Sequence, residues 1–333
     1  MSKILVTGGT GFIGNALVRS LIRSGYGVRV MSRRPASSIA LRLESIGAEV
    51  VAGDLLESSM LPRVLDGCDG LFHLAAMFEI GSRKKPEMYA VNVEGTESLF
   101  SASRAEGVDT IVYVSTVLAL GPTSTGCVPA LLKSEDLLES PPRDNFTGPF
   151  EETKHLAMRI ALLHAKQGAR VVIVCPGTVL GAGDPSEIGT ALNLNMRGRL
   201  PFLTGGSSCF SFVSLQDAVE GLILAYEKGI PGKTYPLVSE VFSLEELSHL
   251  ASSAAGVRPP RLDLPRWISM MGLPLVNLMA RFSGGRRIYS KEALSILACD
   301  WGYDASISKD ELGWDCLPIA EVLAKMAVNL SGE

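Results

Sequence analysis

Three glycines near the amino end, Gly8, Gly11 and Gly14, stand in the spacing G-x-x-G-x-x-G within Thr7-Gly8-Gly9-Thr10-Gly11-Phe12-Ile13-Gly14. Residues without a Cβ permit a tight turn, close approach of the backbone to a ligand, and close helix–strand packing. An apolar run, 4–7, precedes them and an amphipathic stretch, 14–23, follows. A helix starting there aims unpaired amides and the positive end of its dipole at the turn, so the chemistry on offer is pyrophosphate binding. The strand–turn–helix context is what raises a glycine triplet above an ordinary turn. The next apolar run, 27–31, ends in Ser32-Arg33-Arg34. A dinucleotide with a free ribose 2′-hydroxyl usually meets an acidic residue about 20 residues beyond the glycines. Two guanidiniums stand here instead, and they match a 2′-phosphate in charge and geometry. The expected cofactor is therefore NADP(H) rather than NAD(H), held by Gly8, Gly11, Phe12, Ile13, Gly14, Ser32, Arg33 and Arg34. The competing reading makes one or both arginines solvated loop charges.

These groups need a rigid frame. Apolar runs rich in Val and Ile recur at 4–7, 27–31, 49–52, 70–74, 110–115 and 170–175, and amphipathic stretches such as 14–23, 88–106 and 151–167 lie between them. Continuous apolar runs are what strands buried on both faces look like. Alternating with helices, they predict an α/β fold with a Rossmann-type doubly wound parallel sheet. After Gly181 the pattern turns to helices and loops punctuated by Pro, Gly and Arg. The expected organisation is an NADP-binding Rossmann domain over 1–180, to which some later segments return. A smaller, mostly helical substrate-binding lobe over 181–333 would cover the carboxyl ends of the strands.

The bulk composition excludes several classes. With 47% apolar and 20% charged residues, the 333-residue chain is globular rather than disordered. A formal charge of −4 lacks the basic surplus of a nucleic-acid binder. The start, Met1-Ser2-Lys3 and then Ile4-Leu5-Val6, is too short for the charged and apolar parts of a signal peptide. The late apolar stretch 267–282 contains Pro274, Asn277 and Arg281 and is short for a bilayer, so it reads as a core or pocket helix pair. Six scattered cysteines (Cys68, Cys127, Cys175, Cys209, Cys299, Cys316) without a CxxC pair fit reduced thiols in the cytoplasm. Four histidines without ligand spacing argue against a metal site.

Further motifs follow in a fixed order: Gly53-Asp54-Leu55, His73-Leu74-Ala75-Ala76, Asn92-Val93-Glu94-Gly95-Thr96, Tyr113-Val114-Ser115-Thr116, and Pro176-Gly177-Thr178-Val179-Leu180-Gly181. Later come Phe212-Val213-Ser214-Leu215-Gln216-Asp217, Trp301-Gly302-Tyr303-Asp304 and Glu311-Leu312-Gly313-Trp314. In these the chain resembles the extended short-chain dehydrogenase/reductase superfamily, in its epimerase/dehydratase and dihydroflavonol-reductase-like branch. The resemblance spans nearly the whole chain. It implies that Asp54, with Leu55, meets adenine, that Ala75 and Ala76 line the cofactor, and that Pro176, Thr178 and Val179 flank the nicotinamide. It says little about substrate, because function lives in sites grafted on folds. Each motif also has a plain reading: His73 as a strand-end residue touching backbone, Asp54 as a turn residue, Asn92 as a helix cap or kink.

The resemblance also implies hydride transfer at a carbonyl, with a Tyr moving the proton, a Lys lowering its pKa and holding ribose, and a Ser or Thr polarising the oxygen. The hydroxyl falls at Thr116, with Ser115 beside it, and the Lys at Lys154. The Tyr position is Phe150, in Phe150-Glu151-Glu152-Thr153-Lys154. A phenyl ring has no ionisable proton, and losing a general acid typically lowers rate about 10²–10⁴-fold. Four explanations stand open. The proton comes from water, Thr116 or an acidic substrate hydroxyl; or a conjugated C=C is reduced instead; or the Tyr was replaced to trap a complex; or redox chemistry is lost and the fold serves as a cyclase, isomerase or sensor.

The expected pocket segments, 118–122, 181–188, 193–199 and 267–279, are mostly apolar and favour a hydrophobic or aromatic ketone, polyketide- or flavonoid-like. Arg197 and Arg199 keep a nucleotide-sugar epimerase or dehydratase open. The stretches 88–106 and 151–167 resemble helices that pair in family dimers, which leaves a homodimer open; Leu156, Ile160 and Leu163 are spaced to face the sheet core instead.

Overall fold

The computed structural model describes residues 2–78, 84–132, 146–264 and 291–331. Strands β1 (Lys3–Thr7), β2 (Gly27–Ser32), β3 (Glu49–Ala52), β4 (Gly70–His73), β5 (Thr110–Val114) and β6 (Val171–Pro176) fall on the six apolar runs within a residue or so at each end. Short strands β7 (Thr178–Leu180) and β8 (Leu203–Thr204) follow, then β9 (Cys209–Ser214), β10 (Thr234–Leu237), β11 (Glu240–Ser243) and β12 (Asp263–Leu264). The main sheet is parallel with the order β10-β6-β5-β4-β1-β2-β3. This is the doubly wound Rossmann order with one strand added at the β6 edge. Ile4, Leu5, Val6, Val172, Ile173 and Val174 are essentially sealed from solvent, as strands covered by helices on both faces must be.

The order reverses between β1 and β4, and a crevice opens there at the carboxyl ends of the strands. The glycine turn enters it directly after β1.

Two segments from beyond residue 181 return to the main sheet: the helix Leu215–Lys228 packs on β5 and β6, and β10 extends the edge. Ser214 caps that helix, its Oγ accepting from the Asp217 amide at 2.9 Å. Asp217 in turn accepts from the Trp314 indole through its carbonyl and from the Leu317 amide through Oδ2, which straps the C-terminal segment down. A second core forms around Leu180, Leu192, Phe210, Phe212, Leu247 and Trp301, next to the three-stranded sheet β11-β9-β7.

The expected helical stretch 88–106 is helical to Ala105, with a π turn at Ala90–Glu94 between the helices Lys85–Tyr89 and Gly95–Ala105. Two expectations are corrected. On the helix Pro149–Lys166 the core-facing residues are Ala157, Met158, Ala161 and Leu162, whereas Leu163 is 47% exposed. Cys127 and Cys209 form a disulfide that ties the 121–130 loop to β9, because the fold brings together cysteines far apart in sequence. Cys68, Cys175, Cys299 and Cys316 are thiols outside this disulfide. Among the described residues no helix is long and apolar enough to cross a membrane. The 267–282 stretch lies outside the described residues.

Candidate active site

The glycine turn is built by steric necessity. Gly8 has φ +71°, and a Cβ there would lie 2.7 Å from the Ala75 amide nitrogen. A Cβ on Gly14 would collide with the Gly8 carbonyl oxygen, so the helix Phe12–Arg23 can pack against the turn only with glycine there. Gly11 is the N-cap and offers no side chain, leaving the first-turn amides to a ligand.

A buried chain of hydrogen bonds fixes the strand end beside the turn. The Thr96 hydroxyl gives its proton to the Asn92 carbonyl (2.6 Å), so His73 Nε2 donates to Thr96 Oγ (2.9 Å). His73 Nδ1 then accepts the Thr7 hydroxyl (2.7 Å), and Thr7 Oγ accepts from the Ala75 amide (3.2 Å). Burial pushes His73 down to about 3, so the ring is neutral. The expectation that His73 touches backbone is thereby corrected: its partners are two hydroxyls. Asn92 holds the next residues, accepting from the Met77 amide (2.7 Å) and donating to the Met77 carbonyl and to Thr153 Oγ.

Lys154 and Phe150 project from one face of the helix Pro149–Lys166 into the same cavity. Lys154 is 5% exposed, donates from Nζ to the Val114 carbonyl at 2.8 Å, and sits 4.6 Å from the Tyr113 ring centroid. Burial pulls its pKa down to about 8. Phe150 packs edge-on against Phe78 with ring centroids 4.7 Å apart, and its amide donates to Glu292 Oε1 at 3.1 Å. Thr116 caps the short turn Val117–Leu120, accepting from the Leu118 amide at 3.3 Å, and Ser115 is buried beside it.

One cavity of about 650 Å³ is lined by Gly8, Gly11, Phe12, Ile13 and Gly14, by Ala76, Ser115, Thr116, Phe150 and Lys154, and by Pro176, Thr178 and Val179. Other expected site residues lie outside this lining, beyond the ends of β2, β3 and β4. Arg33 and Arg34 are exposed, Ser32 Oγ accepts the Arg34 amide, Asp54 makes an Asx turn with the Leu56 amide, Leu55 is buried, and Ala75 is half-buried. None of the described tyrosines lines the cavity; Tyr303, for example, gives its hydroxyl to the Gly121 carbonyl.

The far end of the cavity is an apolar bowl formed by Leu192, Leu200, Leu203, Phe210, Leu247 and Leu297. The sequence reading anticipated Leu118, residues 184–188 and Asn195. It did not anticipate Leu200, Leu203, Phe210, Leu244, Leu247, Ser248, Ala293, Ile296 or Leu297, whose largely apolar patterns look like ordinary core. Arg197 and Arg199 are exposed and outside the lining, and 267–279 lies outside the described residues. Two carboxylates break the apolar wall. Asp184 accepts from the Ser186 amide and hydroxyl, and burial raises its pKa. Glu187, the first residue of the helix Glu187–Met196, is pushed up to about 7 by burial and by the neighbouring Glu292 carboxylate. Among the described residues no three His, Cys, Asp or Glu side chains converge as metal ligands would.

The model of the NAD dependent epimerase/dehydratase family matches residues 4–237. The chain is 30% identical over 325 residues to a Synechocystis sp. protein named for dihydroflavonol 4-reductase, covering 96% of this chain and 92% of that one. It is 31% identical over 314 residues to sterol demethylase protein B of Methylococcus capsulatus, covering 93% and 92%. The crystal structure of gox2253 superposes with a TM-score of 0.79 at 28% identity, covering 99% of this chain and 98% of that one.

Proposed function

The chain belongs to the NAD-dependent epimerase/dehydratase family, enzymes that work with a nicotinamide dinucleotide, and on that premise we propose that it is an NADP(H)-dependent reductase of a ketone on a bulky hydrophobic or aromatic molecule. The observation that carries this reading is the continuity of one cavity, from the glycine turn past Thr116 and Lys154 to the apolar bowl.

The residues present fit a dinucleotide: the cradle at Gly8 and Gly14 is one that a Cβ would fill. Gly8, Gly11, Phe12, Ile13 and Gly14 would hold the pyrophosphate, and Ser32, Arg33 and Arg34 the 2′-phosphate. Asp54 and Leu55 would meet adenine, Ala75 and Ala76 the adjoining ribose and phosphates, and Pro176, Thr178 and Val179 the nicotinamide. Bound in its reduced form, the dinucleotide supplies a hydride to the carbonyl carbon. Thr116 Oγ accepts the Leu118 amide, which leaves its own proton free to be donated to the reacting oxygen. Lys154, a buried cation, holds the ribose and stabilises developing negative charge.

An apolar substrate follows from the lining. Among the described lining residues Lys154 is the one basic side chain, and the substrate end carries Asp184 and Glu187, so a sugar diphosphate would meet carboxylates rather than guanidiniums. The dihydroflavonol and sterol in the relatives' names are molecules of the proposed kind. The exposed face around Leu163 is the one by which this reading pairs two chains as a homodimer.

Phe150 favours a second reading, a non-redox cyclase, isomerase or cofactor sensor on the same frame. The two part in one assay, which follows NADPH absorbance with a panel of aromatic and polycyclic ketones for this chain and for Phe150→Tyr. Turnover by this chain, with alcohol formed in proportion to NADPH consumed, is the expected result. Binding of NADPH without consumption, or activity in Phe150→Tyr alone, selects the second reading for the protein as it stands.

A further inference from the structure

A ketone that has accepted a hydride carries negative charge on oxygen and needs a proton, and Phe150 has none to give. The hydroxyls of Ser115 and Thr116 also line the cavity but are alcohols, far weaker acids than a carboxyl, and several other proton-bearing groups of the wall are committed. Asn195 and Ser248 bond each other, the Ser186 hydroxyl bonds Asp184, and Lys154 bonds the Val114 carbonyl. Glu187 differs. It lines the cavity, is half-buried, and its carboxyl has no hydrogen-bond partner among the described residues. Its neighbour Glu292, on the helix Lys291–Ile296, is 7% exposed and accepts the amide of Phe150 itself, so the carboxyl pair is anchored at the residue that lacks the hydroxyl.

We propose that Glu187 is the general acid of this site, taking the place of the missing tyrosine, and that Glu292 is the positioning residue that keeps Glu187 protonated. The proposal rests on the reductase reading above. A carboxyl withdrawn from water beside a second carboxylate is harder to ionise, and Glu187 has both that neighbour and burial against it. The Phe150 N–H donates to Glu292 Oε1 and fixes that carboxyl in place beside Glu187. The start of the helix Glu187–Met196 would favour an ionised Glu187, yet burial and Glu292 outweigh it and push Glu187 up to about 7. The other charged groups in the wall are Asp184, raised by burial, and Lys154. In the step itself the O–H bond of Glu187 breaks and its electron pair stays on the carboxylate. The proton forms an O–H bond on the substrate oxygen, and the half-exposed carboxylate regains a proton from water.

The test has two arms. The first needs no substrate: infrared titration of the protein labelled at glutamate carboxyl carbons. A protonated-carboxyl band that fades near pH 7, and is missing in Glu187→Gln, is expected. If every glutamate titrates in the ordinary range near about 4.3, the proposal is overturned. In the second arm Glu187→Gln should lower kcat about 100-fold or more with KM nearly unchanged. Adding Phe150→Tyr to that variant should restore kcat. Glu292→Gln should move the alkaline fall in kcat to lower pH, which a packing role would not do. Unchanged kcat in Glu187→Gln, or a raised KM alone, overturns the donor role while the reductase reading stands. If the parent turns over no ketone, the reductase reading fails and the donor role fails with it.

Discussion

Lys154 is a buried cation without a carboxylate partner among the described residues, and that has a measurable signature. Its pKa falls from 10.5 to about 8 on folding, so between those values the unfolded chain binds a proton that the native chain has shed. Stability therefore rises with pH across that window, and below pH 8 the full penalty applies, about 3 kcal/mol at most. Lys154→Met should accordingly be more stable than the parent at pH 7, by about 1–3 kcal/mol. The gain should shrink toward pH 10, while ketone reduction is lost. Urea denaturation at the two pH values measures it. A less stable Met variant at pH 7 would mean that the Val114 hydrogen bond and the Tyr113 ring outweigh the desolvation. At this scale Thr116, Phe150 and Lys154 were legible because their motifs are local. Glu187 lies in an anticipated pocket segment, but its pairing with Glu292 was not legible, because only the fold brings their carboxyls together.

Elements were legible where burial writes a continuous pattern. The six apolar runs became β1 to β6 because a strand covered on both faces has no polar side to display. β10 escaped, since Thr234-Tyr235-Pro236-Leu237 carries a proline that argues against a strand. Its place at the sheet edge explains why the proline is tolerated. The π turn at Ala90–Glu94 was hidden because apolar periodicity runs through it, and the bonds that Asn92 makes from within it, to Met77 and Thr153, are tertiary. The disulfide between the 121–130 loop and β9 is likewise tertiary, and it spans 82 residues of sequence. Closing so long a loop restricts the unfolded chain, so Cys127→Ser, and the parent in dithiothreitol, should each lose about 2–4 kcal/mol. Chemical denaturation with and without reductant checks this. The variant should be indifferent to reductant, and an equally indifferent parent would show that the two thiols are not bonded in solution.

For the whole molecule, the decisive feature is that one cavity joins the sheet core to the second core. The glycine turn at the β1–β4 reversal lies at one end, where the proposed dinucleotide would bind, and the bowl around Phe210 and Leu247 closes the other. On the proposed reading a ligand in the bowl would rest on the nicotinamide end of the dinucleotide, so each should raise the affinity for the other. A ligand that binds only the native state at 100 times its Kd adds about 2.7 kcal/mol of stability, which thermal unfolding resolves. NADP⁺ should protect more than NAD⁺ if Arg33 and Arg34 grip a 2′-phosphate. A polycyclic alcohol, standing for the product, should add protection chiefly when NADP⁺ is present. UDP-glucose should add none under either condition, because Arg197 and Arg199 face solvent and the substrate end presents Asp184 and Glu187. Protection by UDP-glucose equal to that by the alcohol would instead assign the bowl to a sugar nucleotide. The cation pairing its diphosphate would then have to come from beyond the described lining, and the apolar walls would serve the core rather than the substrate.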